Sequence, residues 1–538
     1  MKHQLGIALG LSALMVGPAL AQQQQPNANQ AAARAAAKSL LQAADKATGA
    51  SFVKSWTASG TGRMGYPGQQ FAQGDLPQTD LKSFSETIDL ASKSGSWQYT
   101  RVQGNNIARG GGAGFPVQGE QNFKEFVNGA VGWNVNPQGQ AVRTNQREAG
   151  DRQLRLWLNP ASFIQAALAD DTALLTERYF GRQNRTVKVV GFTTKVCDGP
   201  QPQCTRRVTG EFNNDNLLER VVTWFPDPVL GDKMVELRYS DYKDVGNSVK
   251  MAHHVHAHQG DHPLIPGGHN WMDVRYSEIK VNAGTAQAAP DNVRNAPPVA
   301  TSNVVATKLA DGVVHMGGGS HNSLAVEFKD FVTVIEAPLD QQRSAAVIAE
   351  VKKQFPNKPI RYVVNTHNHF DHLGGVRAYV GEGATVITED KNKDFYKNVV
   401  LAPQPRTLLP DRLSQRPFAP TGPGQVMLQT YTDTYTISDG NQTIELHNVE
   451  GLNHSDNMTI VYLPKAKLLV SADMGGPPPA GQNPPVNANA IVLYNNLKRL
   501  KLDIVTHVPI HGPQGPQAEF DRLVGPAAAK APQQQGGG

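Results

Sequence analysis

Thr366-His367-Asn368-His369-Phe370-Asp371-His372-Leu373-Gly374-Gly375 carries three histidines and an aspartate within six residues, spaced H-x-H-x-D-H. Polar side chains at this density are costly to leave without partners, and imidazole with carboxylate is a donor set that zinc binds well. Upstream, Ile360-Arg361-Tyr362-Val363-Val364 predicts a short buried strand, and downstream Gly374 to Val380 predicts the opening of a helix. The motif therefore falls on a strand-to-helix turn. In an extended segment His367 and His369 point the same way, and the turn lets Asp371 and His372 face a second point nearby. That geometry suits two metals. A polar loop that happens to be rich in histidine is the plainer alternative.

The rest of the chain bounds what such a centre belongs to. At 538 residues the protein is too long for one ordinary core, so two folded domains plus tails are expected. An apolar fraction of 39% with 51 Gly and 36 Pro suits a loop-rich, β-containing globular protein. The net charge of +5 is small for this length and no long basic run occurs, which argues against nucleic acid as a partner.

Residues 1–21 read as a signal peptide: Lys2 is followed by an apolar run from Leu5 to Val16, and Ala19-Leu20-Ala21 gives a small-x-small cleavage pattern. The run is too short to span a bilayer, and no other segment reads as an integral membrane segment. A periplasmic or secreted protein follows. In that compartment Cys197 and Cys204, the only two cysteines, are expected to form a disulfide closing a hairpin tip.

Residues 22–50 comprise a Gln/Ala-rich segment and a helix from about Gln30 to Lys46. Residues 51–282 show short β-like runs separated by Gly, Pro and Asn. In one of them Val235, Leu237 and Tyr239 alternate with Glu236, Arg238 and Ser240, the pattern of a half-buried strand. The Gly-rich run at 110–114 precedes Phe115-Pro116 and no evident helix, which argues against a phosphate loop. Five histidines fall within residues 253–262, with His254, His256 and His258 on one strand face. A second metal site, a rim meeting the other domain, or a solvated polar face would each account for them.

Residues 283–300 read as a linker, small and Pro-containing without periodicity. From 301 the texture becomes α/β: strands at Gly312 to Met316, Leu324 to Phe328 and Phe331 to Glu336, then a helix from about Gln341 to Phe355. The Gly-rich loop Gly317 to Ser323 lies between the first two of these strands, and Pro-rich stretches run from Lys393 to Val426 and from Met474 to Val486. Residues 513–538 are expected to be a mostly disordered tail, with order confined to Glu519 to Val524.

Residues 301–512, about two-fifths of the chain, resemble the metallo-β-lactamase fold superfamily. Beyond the first motif, Gly451-Leu452-Asn453-His454-Ser455-Asp456-Asn457 is similar to the second motif, Leu468-Leu469-Val470-Ser471-Ala472-Asp473 to the third, and Pro509-Ile510-His511-Gly512 to the last, in the family's order. The resemblance implies an α+β protein: a C-terminal four-layer αβ/βα metallo-β-lactamase fold preceded by a β-rich N-terminal domain. It implies two zinc ions per chain. His367, His369 and His454 would hold one, Asp371, His372 and His511 the other, with Asp473 between them. In this fold the Gly317 to Ser323 loop would project near the metal mouth, where His321 or Asn322 could touch substrate, a Gly-rich hairpin turn with capping polar groups being the plainer alternative. The Pro-rich stretches would be rim loops.

This ligand set implies an exported dinuclear zinc hydrolase that turns a metal-bridging hydroxide on an amide, ester or lactone-type bond of a small-molecule substrate. Asp371 would be both ligand and catalytic group, and Asp456 and Glu336 are candidates to orient the histidines. Common zinc β-lactamases carry cysteine where Asp473 stands, which disfavours that group. Di-iron relatives carry glutamate at the place of His369, which favours zinc. The second motif also lacks the frequent Gly-His-Thr-Pro-Gly run. The alternative is a periplasmic carrier for an apolar ligand, with the metal domain serving structure.

Overall fold

The structure, a computed structural model, describes residues 28–531 apart from 73–74, 105–116, 118, 181–184, 198–203, 260–270, 286 and 416–426. The expected signal peptide, the Gly-rich run at 110–114 and His262 lie outside the described residues.

A 13-stranded antiparallel sheet occupies residues 55–281. It is two meanders joined along one seam, where the first strand (Ser55–Gly65) pairs with the last (Met272–Val281) in the register Trp56 opposite Val281. Alternation along its strands sends Trp56, Ala58, Phe84, Ile88, Val255 and Ile279 to one face. Helices Ala28–Thr48, Gln146–Arg155 and Pro160–Ala169 supply Leu41, Leu154, Phe163 and Ile164 to the same core. Local chemistry starts the last two helices where they are. Asn145 Oδ1 accepts from Glu148 N at 2.9 Å, and Asn159 Oδ1 accepts from Ala161 N at 3.1 Å with Pro160 in the first turn. The Cys197–Cys204 disulfide is present and lies just past the paired strands Arg185–Lys195 and Thr205–Phe212.

The C-terminal domain stacks a 7-stranded and a 6-stranded sheet. Period-two side chains divide each strand between two cores. Val313, Leu324, Val326, Ile335 and Val364 of the first sheet meet Ile444, Leu446, Ile460 and Leu469 of the second. The intervening residues Val314, Met316, Ala325, Val334 and Val363 face outward onto helices Gln341–Gln354 and Val376–Glu382. Helices Ala488–Leu500 and Gln517–Lys530 cover the second sheet through Leu493, Leu497, Phe520 and Val524. The layers therefore run helix, sheet, sheet, helix, and the class is α+β as expected. Asp340 caps Gln341–Gln354, its carboxylate accepting from Arg343 N at 2.9 Å.

Three expectations are corrected. Residues 517–530 form a helix rather than a disordered tail: Phe520 and Val524, one turn apart, are both sealed into the second core. The linker at 283–300 lies against the N-terminal sheet, with Val293 buried on Phe126 and Trp133. The stretch from Lys393 is not all rim loop. It begins helical through Val400, and its Arg406 guanidinium then donates to the main-chain oxygens of Pro228 (2.8 Å) and Val229 (2.7 Å) on the N-terminal sheet. No helix among the described residues is long and apolar enough to cross a membrane.

Candidate metal centre

The motif leaves the buried strand Ile360–Val364 and enters the short helix Phe370–Leu373, as its hydrophobic flanks dictate. Gly374 and Gly375 are required by close packing: a Cβ on the first would run into Leu339 O, and one on the second into Ser344 Oγ. His454 follows the turn after strand Thr443–Asn448, Asp473 follows strand Leu468–Ser471, and His511 follows strand Thr506–Pro509. Asn322 fixes the His511 turn, its amide donating to Pro509 O at 3.0 Å and Gly512 O at 2.8 Å.

All seven residues singled out in the sequence come together, in two groups of potential ligand atoms. His367, His369, His454 and Asp473 form one, and His321, Asp371, His372 and His511 the other, each with its atoms within 4.8 Å of one another. Asp473 touches both. Its Oδ2 lies 3.1 Å from His367 Nε2, 2.9 Å from His454 Nε2 and 3.0 Å from His372 Nε2, and its Oδ1 lies 2.8 Å from His511 Nε2. Asp473 adopts a left-handed backbone (φ 55°), a strained conformation of the kind that gathers at functional sites.

His367, His369 and Asp473 are in the protonation states a cation needs, whereas the carboxylates around His372 hold that ring in its charged form until a cation displaces the proton. Burial pushes the His367 imidazole down to about 4, helped by the neighbouring His372 charge, and burial drives His369 down as well. Both are then neutral, with a lone pair to offer. Burial alone would neutralise Asp473, but His372 and the hydrogen bonds from His367, His372 and His454 hold its carboxyl far below the usual range. His372 resists burial because Asp473, Asp371 and Glu336 surround it and raise its pKa. His369 Nδ1 and His454 Nδ1 are buried with no hydrogen-bond partner. Neutral imidazoles at His367 and His369 beside the ionised Asp473 carboxylate, with orphaned ring nitrogens on His369 and His454, fit a divalent cation.

Outer contacts orient this set. Of the two candidates for this role, Glu336 reaches a ligand, its Oε2 lying 2.6 Å from His372 Nδ1. Asp456 does not reach a histidine; its carboxylate accepts from Asn457 Nδ2 at 3.0 Å and faces Lys391 at 3.6 Å. Sequence reasoning left His321 or Asn322 able to touch substrate and did not count His321 among the ligands; it joins the second group with Nε2 3.2 Å from Asp371 Oδ2. It missed Gln69 altogether, whose Nε2 donates to Asp371 Oδ1 at 2.7 Å from the N-terminal sheet. The only signal there is the turn dipeptide Pro67-Gly68, which predicts a turn and not its destination. On the strand Lys250–Gln259, His254 pairs with Asp273 (2.9 Å) and His256 faces His258 (3.2 Å), and no third metal-ligating group is found among the described residues.

Four of the histidines and Asp473 are sealed, while the side chains of Asp371 and His511 are 35% and 37% exposed. The cluster therefore opens on its Asp371–His511 side.

Residues 316–523 match the family model described as Metallo-beta-lactamase superfamily. A linear primary-alkylsulfatase from Pseudomonas sp is 30% identical over 118 residues, which cover 21% of this chain and 17% of that protein's length. Among solved structures, a metallo-beta-lactamase from Pontibacter korlensis is 17% identical with a TM-score of 0.30, covering 41% of this chain and 98% of its own. The FIM-1 metallo-beta-lactamase from Pseudomonas aeruginosa, in a mono-zinc form, is 20% identical with a TM-score of 0.30, covering 42% of this chain and 96% of its own.

Proposed function

We propose that the protein, whose residues 316–523 match the metallo-beta-lactamase superfamily model, is an exported dinuclear zinc hydrolase of a small-molecule amide, ester, lactone or sulfate ester. The observation that carries this reading is the pair of four-donor groups joined through Asp473. Zinc suits them, since they combine imidazole and carboxylate without thiolate. His367, His369 and His454 would hold one ion, Asp371, His372 and His511 the other, with Asp473 shared. Two ions there would supply Lewis-acid polarisation of the substrate oxygen and a water that ionises near neutral pH.

The chain's own residues account for the rest. Substrate reaches the cluster from its open side, between Asp371 and His511. Asp371 is kept ionised: His372 and the His321 hydrogen bond outweigh the cost of its burial. Gln69 and His321 fix one carboxylate oxygen each, so the group is aimed to orient an attacking water and accept its proton. Glu336 fixes the His372 ring. Sulfate esters join the candidate bonds because the Pseudomonas relative is named an alkylsulfatase. Export is supported by the leader-like residues 1–21 and by the disulfide.

The test is hydrolysis by zinc-loaded full-length protein of a cephalosporin, a lactone, a carboxylic ester, a thioester, a phosphodiester and a primary alkyl sulfate. Turnover of one bond type, lost with chelator, is expected. A protein that binds no zinc, or whose turnover ignores the chelator, would sink the reading.

A second reading has its own observation. A cavity of about 250 Å³ lies on the N-terminal sheet, lined by Trp56, Phe84, Trp97, Tyr99, Trp271 and Tyr276 among others. Aromatic walls of this kind suit an apolar ligand. Thermal stabilisation of the full chain by a long-chain acyl compound would support a carrier role, and none across an acyl series would remove it.

A further inference from the structure

Residues 66–72, which follow strand Ser55–Gly65 and precede strand Gln78–Asp89, leave their own sheet and reach the metal-centre cluster. Four hydrogen bonds tie residues 68–71 to segments about 300 residues or more away in sequence. Phe370 N donates to Gly68 O at 3.0 Å, and Asp456 N donates to Phe71 O at 3.0 Å. Gln69 Nε2 donates to Asp371 Oδ1 at 2.7 Å, and His369 Nε2 lies 3.0 Å from Gln70 O. The loop is built for this place. Gln70 is 4% exposed, and its Oε1 accepts from Gly68 N at 2.9 Å, which closes the turn. Gly68 has φ +88°, and a Cβ on it would lie 2.5 Å from Phe370 Cγ. The approach is braced a second time, by Arg406 on Pro228 and Val229.

A carbonyl oxygen can only accept, so the His369 nitrogen facing Gln70 O is the one that carries the proton. The other nitrogen, Nδ1, then holds the lone pair, and it is the buried ring atom without a partner. In metal sites an outer acceptor of this kind selects the tautomer and fixes the ring.

We propose that this loop of the N-terminal sheet is a built part of the metal centre. The Gln70 main-chain carbonyl holds His369 in the tautomer that presents Nδ1 to one ion, and the Gln69 amide positions Asp371 for the other. The inference rests on the two-metal reading of the cluster. Gln69 and Gln70 are positioning residues, and the role of the N-terminal region includes completing a centre whose potential ligands all lie beyond residue 320.

The experiment uses the full chain and reads metal directly, by competition with a chromogenic chelator and by the visible absorption of the cobalt(II)-substituted protein. Wild type is measured first, and fewer than two bound ions would remove the two-metal reading itself. Gln70→Ala opens the turn, and Gly68→Val drives the loop off Phe370. Each is expected to weaken one of the two ions by ~10–100-fold and to change the cobalt spectrum. Gln70→Glu keeps the acceptor for Gly68 N and is expected to restore both. Gln69→Ala is expected to weaken the other ion instead. Circular dichroism establishes that each variant is folded; should Gly68→Val fail to fold, Gln70→Ala and its Glu rescue decide. Wild-type affinities and spectra in folded Gln70→Ala and Gly68→Val would overturn the proposal.

Discussion

Glu336 Oε2 and His372 Nδ1 lie 2.6 Å apart with both side chains wholly sealed from solvent. Glu336 reaches this place from a left-handed backbone (φ 71°) at the end of a buried strand, and its other oxygen accepts from Thr366 N at 2.7 Å and Asn365 Nδ2 at 3.1 Å. One carboxylate thus anchors both ends of the motif, the strand exit and the last histidine. Replacing it by Gln sets an amide N–H against one of those buried donors. Glu336→Gln is expected to lower zinc affinity by ~10–100-fold with little change in secondary structure, measured by chelator competition and circular dichroism. Unchanged affinity would mean that Glu336 serves the strand alone.

Asp371→Asn keeps the side-chain shape and removes the proton acceptor. Its two partners, Gln69 and His321, remain in place to hold the amide. The expected result is a fall in kcat of ~10²–10⁴-fold in a protein whose melting temperature and metal in the His367–His369–His454 group stay close to wild type. Retained turnover in a folded, fully metallated variant would remove Asp371 from the chemistry.

The reach of the sequence follows from how local each cause is. His367, His369, Asp371 and His372 were legible because strand period and turn act within ten residues, whereas His454, Asp473 and His511 were legible only through the family resemblance, since nothing local to each of them marks a ligand. His321 was half legible: its loop was placed near the mouth, but its pairing with Asp371 depends on where two strands stack. Gln69 and Gln70 were illegible, since nothing in Tyr66-Pro67-Gly68-Gln69-Gln70-Phe71 marks a contact with residues 369–371. The helix Gln517–Lys530 was underread because only Phe520 and Val524 anchor it, among Ala, Gly and Pro526.

Asp411 is sealed between two cations, accepting from Arg377 and lying 3.2 Å from Arg406 Nε. Arg406 in turn grips the N-terminal sheet, so this cluster joins the two regions of the chain. Asp411→Ala leaves two buried guanidinium groups without their counter-charge and is expected to cost about 3–5 kcal/mol, read from urea unfolding. The pH dependence has a definite sign. Burial would raise the Asp411 pKa, but Arg377 and Arg406 outweigh it and the folded value lies below the ordinary one. Its contribution is therefore whole above the unfolded pKa of about 3.9 and is lost as pH falls through the folded value. Wild type should lose more stability than Asp411→Ala on going from neutral pH into that acid range. Equal losses would show that the pair does not couple to folding.

The disulfide tests the opposite case, stability without function. Cys197 and Cys204 are separated by 7 positions and sit just beyond the Lys195–Thr205 pair, where Val196 N already donates to Cys204 O at 2.9 Å. A link across so short a loop restricts the unfolded chain modestly, by about 2–3 kcal/mol on chain-entropy grounds. Among the described residues, the hydrogen bonds that reach the metal-centre cluster from the N-terminal sheet come from residues 68–71, outside this hairpin and its strands. The double replacement Cys197→Ser/Cys204→Ser is thus expected to lower unfolding free energy by about that amount while zinc stoichiometry and turnover stay at wild-type values. A loss of bound zinc with the sheet still folded would mean that the hairpin reaches the centre through the sheet.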